Sequence, residues 1–182
     1  MKTLVQFGAG NIGRSFLGQL FAQSGYEVVF VDIDDRLVDG LNRRRAYRVV
    51  IKQTDRPDEI LRIENVRAVH GKDQAGVTRE VAEADVLATS VGSRALPAVI
   101  PTIAAGLVQR RNRYGDRPLD IIIAENLHSA AAYFRRALRE HLPGDYRLDK
   151  WVGLVETSIG KMVPIMREKD IAEDPLLSLI HI

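Results

Sequence analysis

The stretch "TLVQFGAGNIGRSFLGQLFAQSGYEVVFVDID" (residues 3–34) decides the fold. An apolar run, "TLVQF" (3–7), leads directly into three glycines, Gly8, Gly10 and Gly13, in G-x-G-x-x-G spacing. A helical pattern follows from Ile12 through Phe16, Leu17, Leu20 and Phe21, and a second run, "EVVFVD" (27–32), ends on Asp32. Strand, glycine turn, helix, strand and a terminal acid about 20 residues on are the signature of a dinucleotide-binding βαβ unit. Gly8 supplies the tight turn, Gly10 lets the backbone approach a pyrophosphate, and Gly13 lets the helix pack closely. Ala9, Asn11 and Ile12 complete the loop at a helix N-terminus, whose free N–H groups and dipole favour an anion. Asp32 is placed to accept hydrogen bonds from an adenosine ribose and to repel a 2′-phosphate, which favours NAD over NADP. The competing reading is a glycine turn without a ligand and a solvent-facing acid. Asp34 is either a second ribose ligand or the cap of the next helix. Arg14 reads as a cation leaning over the pyrophosphate or as an exposed helical arginine.

Beyond this unit, apolar runs of strand length alternate with segments of helical period. A short helix over 36–45 precedes less regular strands at 47–52 and 60–69. A buried strand, "ADVLATSVG" (84–92), leads to a helix over 96–111, with Pro97 in its first turn. "RPLDIIIAEN" (117–126) is the next strand, followed by a helix over 129–142 and a last strand-like run, "WVGLVETSIG" (151–160). Strands separated by helices of 10–15 residues imply a Rossmann-type α/β fold, a doubly wound and mostly parallel sheet. The final "LLSLIHI" is an apolar tail with nothing after it. It reads as the opening of a helix cut short or an end foreign to the fold, and alternatively as a strand or helix docking on the domain. The expected division is an NAD-binding domain over 1–164 and the start of a missing or truncated helical domain over 165–182.

In such sheets ligands gather at the carboxyl ends of the strands. Thr89, Ser90 and Gly92 end one strand with little side-chain bulk, suited to the middle of a cofactor. Glu125 and Asn126 end the next, placed near a nicotinamide, although Asn126 or Ser129 as a helix cap and a solvated Glu125 is the plainer alternative. His128 is read as structural or exposed, and no histidine has partners at metal-ligand spacing. The basic clusters "NRRR" (42–45) and "QRRNRYGDR" (109–117) read as solvated faces.

The 182 residues carry 46% apolar and 27% charged side chains and a net charge of only +2, which gives no global field for nucleic acid. The chain has no cysteine, hence no disulfide and no thiolate metal site. No apolar stretch is long enough to span a membrane, and the N-terminus lacks a secretory apolar run. A soluble cytoplasmic protein is the expectation.

Taken in order, "FGAGNIGRSFLGQLFAQSGYEVVFVD", "TSVG", "GLVQRR", "IIIAEN" and "VGLVETSIGKMVP" resemble the N-terminal half of the polyol-specific long-chain dehydrogenases, over about residues 1–164. That family includes mannitol dehydrogenases, mannitol-phosphate dehydrogenases and hexuronate reductases. The resemblance implies NAD-dependent interconversion of a polyol or polyol phosphate with its ketose, without a metal. It also implies a second, helical domain supplying a general-base lysine in a K-x-x-x-x-N-x-x-H motif. No such motif occurs here, and neither Lys161 nor Lys169 inherits the role. Where mannitol-phosphate members read V-D-S-A-V-D-R-I-V-P, this chain has "VETSIGKMVP", with Glu156, Gly160 and Lys161 at the changed positions. These changes leave open a different polyol or a sugar acid as substrate. Two alternatives are an NAD-binding sensor module without catalysis and another two-domain dehydrogenase. Apolar surface left by a missing domain would favour self-association.

Overall fold

The structure is a computed structural model and describes residues 1–160, 164, 170, 172 and 174–181. Lys161 and Lys169 lie outside the described residues. The strand-length apolar runs become a six-stranded parallel sheet in the order β5-β2-β1-β6-β7-β8, comprising β1 (Thr3–Phe7), β2 (Glu27–Asp32), β5 (Val66–His70), β6 (Val86–Thr89), β7 (Leu119–Ile123) and β8 (Val152–Glu156). The order reverses at β1, which pairs with β2 on one side and β6 on the other. Above that point a crevice opens at the carboxyl ends of the strands. The expected Rossmann-type sheet is therefore present.

Helix α1 is wound as a π-helix over Gly13–Gly18 and as an α-helix over Gln19–Gln23. Helices α2 (Asp35–Arg44), α3 (Gln74–Glu83), α4 (Leu96–Tyr114), α5 (Ala130–Arg139) and α6 (Leu148–Trp151) complete the layers. Two apolar cores result. One joins α3, α4 and α5 to the sheet through Val81, Leu107 and Phe134; the other packs α2 and the opposite face through Phe30, Leu41 and Tyr47. Each buried aliphatic or aromatic side chain of this kind stabilises the fold by about 1.5–3 kcal/mol.

A second sheet has the order β4-β3-β9, with β3 (Ala46–Lys52) and β4 (Glu59–Glu64) forming an antiparallel pair. Its third member corrects one expectation. The apolar tail does not open a helix over its described residues: Ser178–His181 form β9, paired parallel to β3 with Val49 opposite Ser178 and Ile51 opposite Ile180. The docking-strand alternative is the one the fold adopts, because Leu176, Leu179 and Ile180 bury their side chains there.

Candidate functional site

The glycine turn is built by three different constraints. β1 ends at Phe7, and the Gly8 N–H donates to the Val31 carbonyl at 2.8 Å. Gly8 has φ +90°, and a Cβ there would stand 2.5 Å from the Ser90 carbonyl oxygen. A Cβ at Gly13 would run into the Gly8 carbonyl oxygen, so this glycine lets the first turn of α1 settle on the loop. Gly10 is different. It is exposed, and nothing of the protein lies within 4 Å of where its Cβ would be. Its missing side chain leaves open crevice, the shape a pyrophosphate needs for close backbone approach.

Asp32, at the end of β2, has its aim fixed by three backbone amides. One oxygen accepts from Ala9 N–H at 2.7 Å, and the other from Ile33 at 2.7 Å and Asp34 at 3.0 Å. An ionised carboxylate offers about four acceptor sites, so capacity for a hydroxyl remains. The Ala9 amide is thereby committed to Asp32 and is not available to an anion. Asp34 caps α2, its carboxylate accepting from Arg36 N–H at 2.9 Å.

Across the crevice, the turn after β6 is held by a buried acid. Glu125 is 5% exposed, and its two oxygens accept from Val91 N–H at 2.9 Å and Gly92 N–H at 2.8 Å. The Ser90 hydroxyl accepts from Gln6 Nε2 at 2.9 Å. Two clefts flank this turn. The smaller, about 350 Å³, lies between Asp32, Ile33 and Gly10 on one side and Val91, Ala95 and Val99 on the other. The larger, about 590 Å³, is walled by Ile12, Gly92, Asn126, His128, Glu156 and Thr157. Ser90 lines both.

Several expected roles change. Thr89 does not wall either cleft: it is fully buried under the turn, its hydroxyl without a hydrogen-bond partner. Glu125 lines the larger cleft but is neither solvated nor free, since the loop amides occupy its carboxylate. Asn126 and His128 are exposed on the wall of the larger cleft. Ser129, not Asn126, stands at the N-cap position of α5. Ser129 makes no capping bond, and Glu156 accepts from Ala131 N–H at 2.9 Å, reaching across from the end of β8. Arg14 fits neither sequence reading. It is 4% exposed and turned beneath the loop, donating to the carbonyl of Ala9 and, at 3.0 Å, to that of Leu177. Burial pulls its guanidinium below the ordinary value, opposed in part by the charges of Asp32 and Asp174. Of the basic clusters, Arg43 is exposed and Arg44 and Arg45 are half-exposed in ion pairs. Arg110 instead is buried, its guanidinium satisfied by the carbonyls of Ala82, Ala84, Arg117 and Pro118. Asn11 sits at the back of the loop, accepting from the Ser178 hydroxyl.

The family described as the mannitol dehydrogenase Rossmann domain matches residues 2–179. The chain belongs to that family. Among curated proteins, the mannitol-1-phosphate 5-dehydrogenase of Brevibacillus brevis is 39% identical over 168 residues, covering 91% of this chain and 43% of the relative. That of Clostridium acetobutylicum is 39% identical over 166 residues, 90% of this chain and 42% of the relative. The chain thus spans less than half the length of these relatives. Among solved structures, mannitol 2-dehydrogenase of Pseudomonas fluorescens, in a ternary complex with NAD and D-mannitol, superposes with a TM-score of 0.77. Its identity is 14%, over 99% of this chain and 47% of that one. Octopine dehydrogenase, with NADH and L-arginine, gives 0.64 at 15% identity over 100% and 39%. Both likenesses establish the Rossmann-type fold.

Proposed function

We propose that this chain is the NAD-binding half of a dehydrogenase that interconverts a polyol or polyol phosphate, of the mannitol 1-phosphate type, with its ketose. The observation that carries the reading is the open crevice at Gly10, bordered by the oriented carboxylate of Asp32, with two clefts that share Ser90 in their walls. The adenosine end would lie in the smaller cleft, with its ribose on Asp32 and its base beside Ile33, which is 71% exposed. The pyrophosphate would cross Gly10 and meet the N-terminus of α1. The nicotinamide end would enter the larger cleft, where Gly92, Asn126 and His128 form the wall. When bound, the nicotinamide supplies the hydride chemistry. The chain's residues orient it and keep one face toward a substrate.

A base must take the hydroxyl proton. We assign it to the remainder of a longer protein, as the resemblance implies, and expect little or no turnover from these 182 residues alone. We also infer a cytoplasmic setting, and self-association through exposed apolar side chains such as Ile60 and Val155.

Calorimetric titration with NADH and NADPH tests the reading directly. NADH should bind more tightly, and Asp32→Ala should weaken NADH by about 1–3 kcal/mol, the cost of losing charge-assisted hydrogen bonds. Equal affinity for both coenzymes would remove the role of Asp32. At an ordinary enzymatic rate, NADH formation from NAD and mannitol or mannitol 1-phosphate, or NADH consumption with a hexuronate, would overturn the assignment of the base.

A further inference from the structure

The buried guanidinium of Arg14 lies at the junction of two sheets. In front of it is the glycine turn, whose Ala9 carbonyl accepts from Nη1; behind it is the segment entering β9, whose Leu177 carbonyl accepts from Nη2 at 3.0 Å. The Arg14 Nε is buried without a partner. A buried charge whose direct hydrogen bonds go to backbone carbonyls, with the charges of Asp32 and Asp174 also acting on it, depends on both chain segments staying in place. Removing either takes a hydrogen bond from a charge in a dry site.

Two further contacts tie the same segments. Ser178, fully buried, donates its hydroxyl toward Asn11, 3.1 Å from Oδ1 and 3.3 Å from the backbone carbonyl. The buried phenol of Tyr47, on the β3 strand that pairs with β9, donates to the Arg14 carbonyl at 2.7 Å. Asp174, just ahead of β9, is buried and bonded to Arg44 and Arg48. The back of the glycine turn is therefore held by residues more than 160 positions later in the chain.

We propose that Arg14 is a positioning residue that makes β9 part of the dinucleotide site, so that seating of β9 and coenzyme binding at the glycine turn are energetically coupled. The inference rests on the dinucleotide reading above. Leu177 and Ser178 line neither cleft, so their effect on a ligand runs through the loop. Coupling of this kind is reciprocal: coenzyme must stabilise β9 as much as β9 favours coenzyme.

The test uses the 182-residue chain with Ser178→Ala and Arg14→Gln, reading NADH affinity by calorimetry and amide hydrogen exchange by NMR. Arg14→Gln should weaken NADH at least tenfold and Ser178→Ala three- to tenfold, with Arg14→Lys between Arg14→Gln and the wild type. NADH should slow exchange at Leu179 and Ile180 in the wild type and lose that effect in Arg14→Gln. A merely structural role would lower the melting temperature without moving the affinity of the folded protein or the exchange of β9. Ser178→Ala covers the case in which Arg14→Gln fails to fold. NADH affinity within twofold of wild type in Ser178→Ala, with unchanged β9 protection, would overturn the proposal. A wild type that binds no NADH would overturn the dinucleotide reading instead. The coupling is then read from ligand-free exchange at Asn11 and Ile12, which Ser178→Ala must speed at least tenfold for the proposal to stand.

Discussion

Gly10 and Gly13 stand three residues apart and should answer one added methyl group in opposite ways. A Cβ at Gly10 meets open space, and the residue does not adopt positive φ. Gly10→Ala should therefore leave the fold intact or stabilise it by about 0.4–1 kcal/mol through the unfolded chain. The same methyl occupies the crevice and should weaken NADH at least tenfold. Gly13→Ala drives its methyl against the Gly8 carbonyl, with the Ser90 hydroxyl 3.3 Å away, and should destabilise by about 1–3 kcal/mol. Thermal unfolding and coenzyme titration of the two variants separate these effects. Gly10→Ala with wild-type affinity would place the pyrophosphate elsewhere. These glycines were legible because their spacing is local. Arg14 was not, since its side chain ends on a carbonyl at position 177, and no nearby residue signals that partner. Glu125 was read as belonging to a ligand because its hydrogen bonds go to amides more than 30 residues back.

At the level of elements, β9 has a pH-dependent anchor. Burial alone would raise the Asp174 carboxyl, but hydrogen bonds from Arg44, the Leu176 amide and Arg48 outweigh it and hold it below the ordinary value. The unfolded chain then takes up the proton more readily than the folded one, so the anchor's contribution is complete above about pH 4. It disappears as pH falls through the lower folded value. Asp174→Asn should cost about 2 kcal/mol at pH 7, roughly 4–8 °C in Tm, with the gap shrinking as pH falls below about 4. Stability curves of the pair over pH 2–7 check this, and a constant gap would remove the anchor. Strands β1, β2, β6, β7 and β8 stood out in the sequence because strands of a parallel sheet covered on both faces read as continuous apolar runs. Helix α3 escaped because "QAGVTREVAE" is short, mixes Gly76 and β-branched residues, and lacks a strong apolar stripe. The pairing of β9 with β3 escaped for a different reason: the two strands lie more than 100 residues apart, and a four-residue apolar run does not specify its partner. The π-wound start of α1, with Gly13 against the Gly8 carbonyl and Gly18 against Phe30 and Tyr47, has no counterpart in the sequence pattern.

For the molecule as a whole, the topology sets both clefts on one rim, one on each side of the turn that follows β6. The site was legible as far as that rim; which side chains face it required the fold. A ridge between two basins implies that half-sized ligands need not exclude each other. AMP should settle beside Asp32 and nicotinamide mononucleotide beyond Ser90, each weakly and with the other present, while NAD displaces both at once. Joining the halves covalently spares the second its own loss of freedom, so the intact coenzyme should outbind the weaker fragment by about 10²–10⁴. Two-ligand titrations would show mutual indifference between the fragments and rivalry of each with the whole. Fragments that expel one another would mean the ridge divides nothing, and that a single chamber receives whatever arrives first.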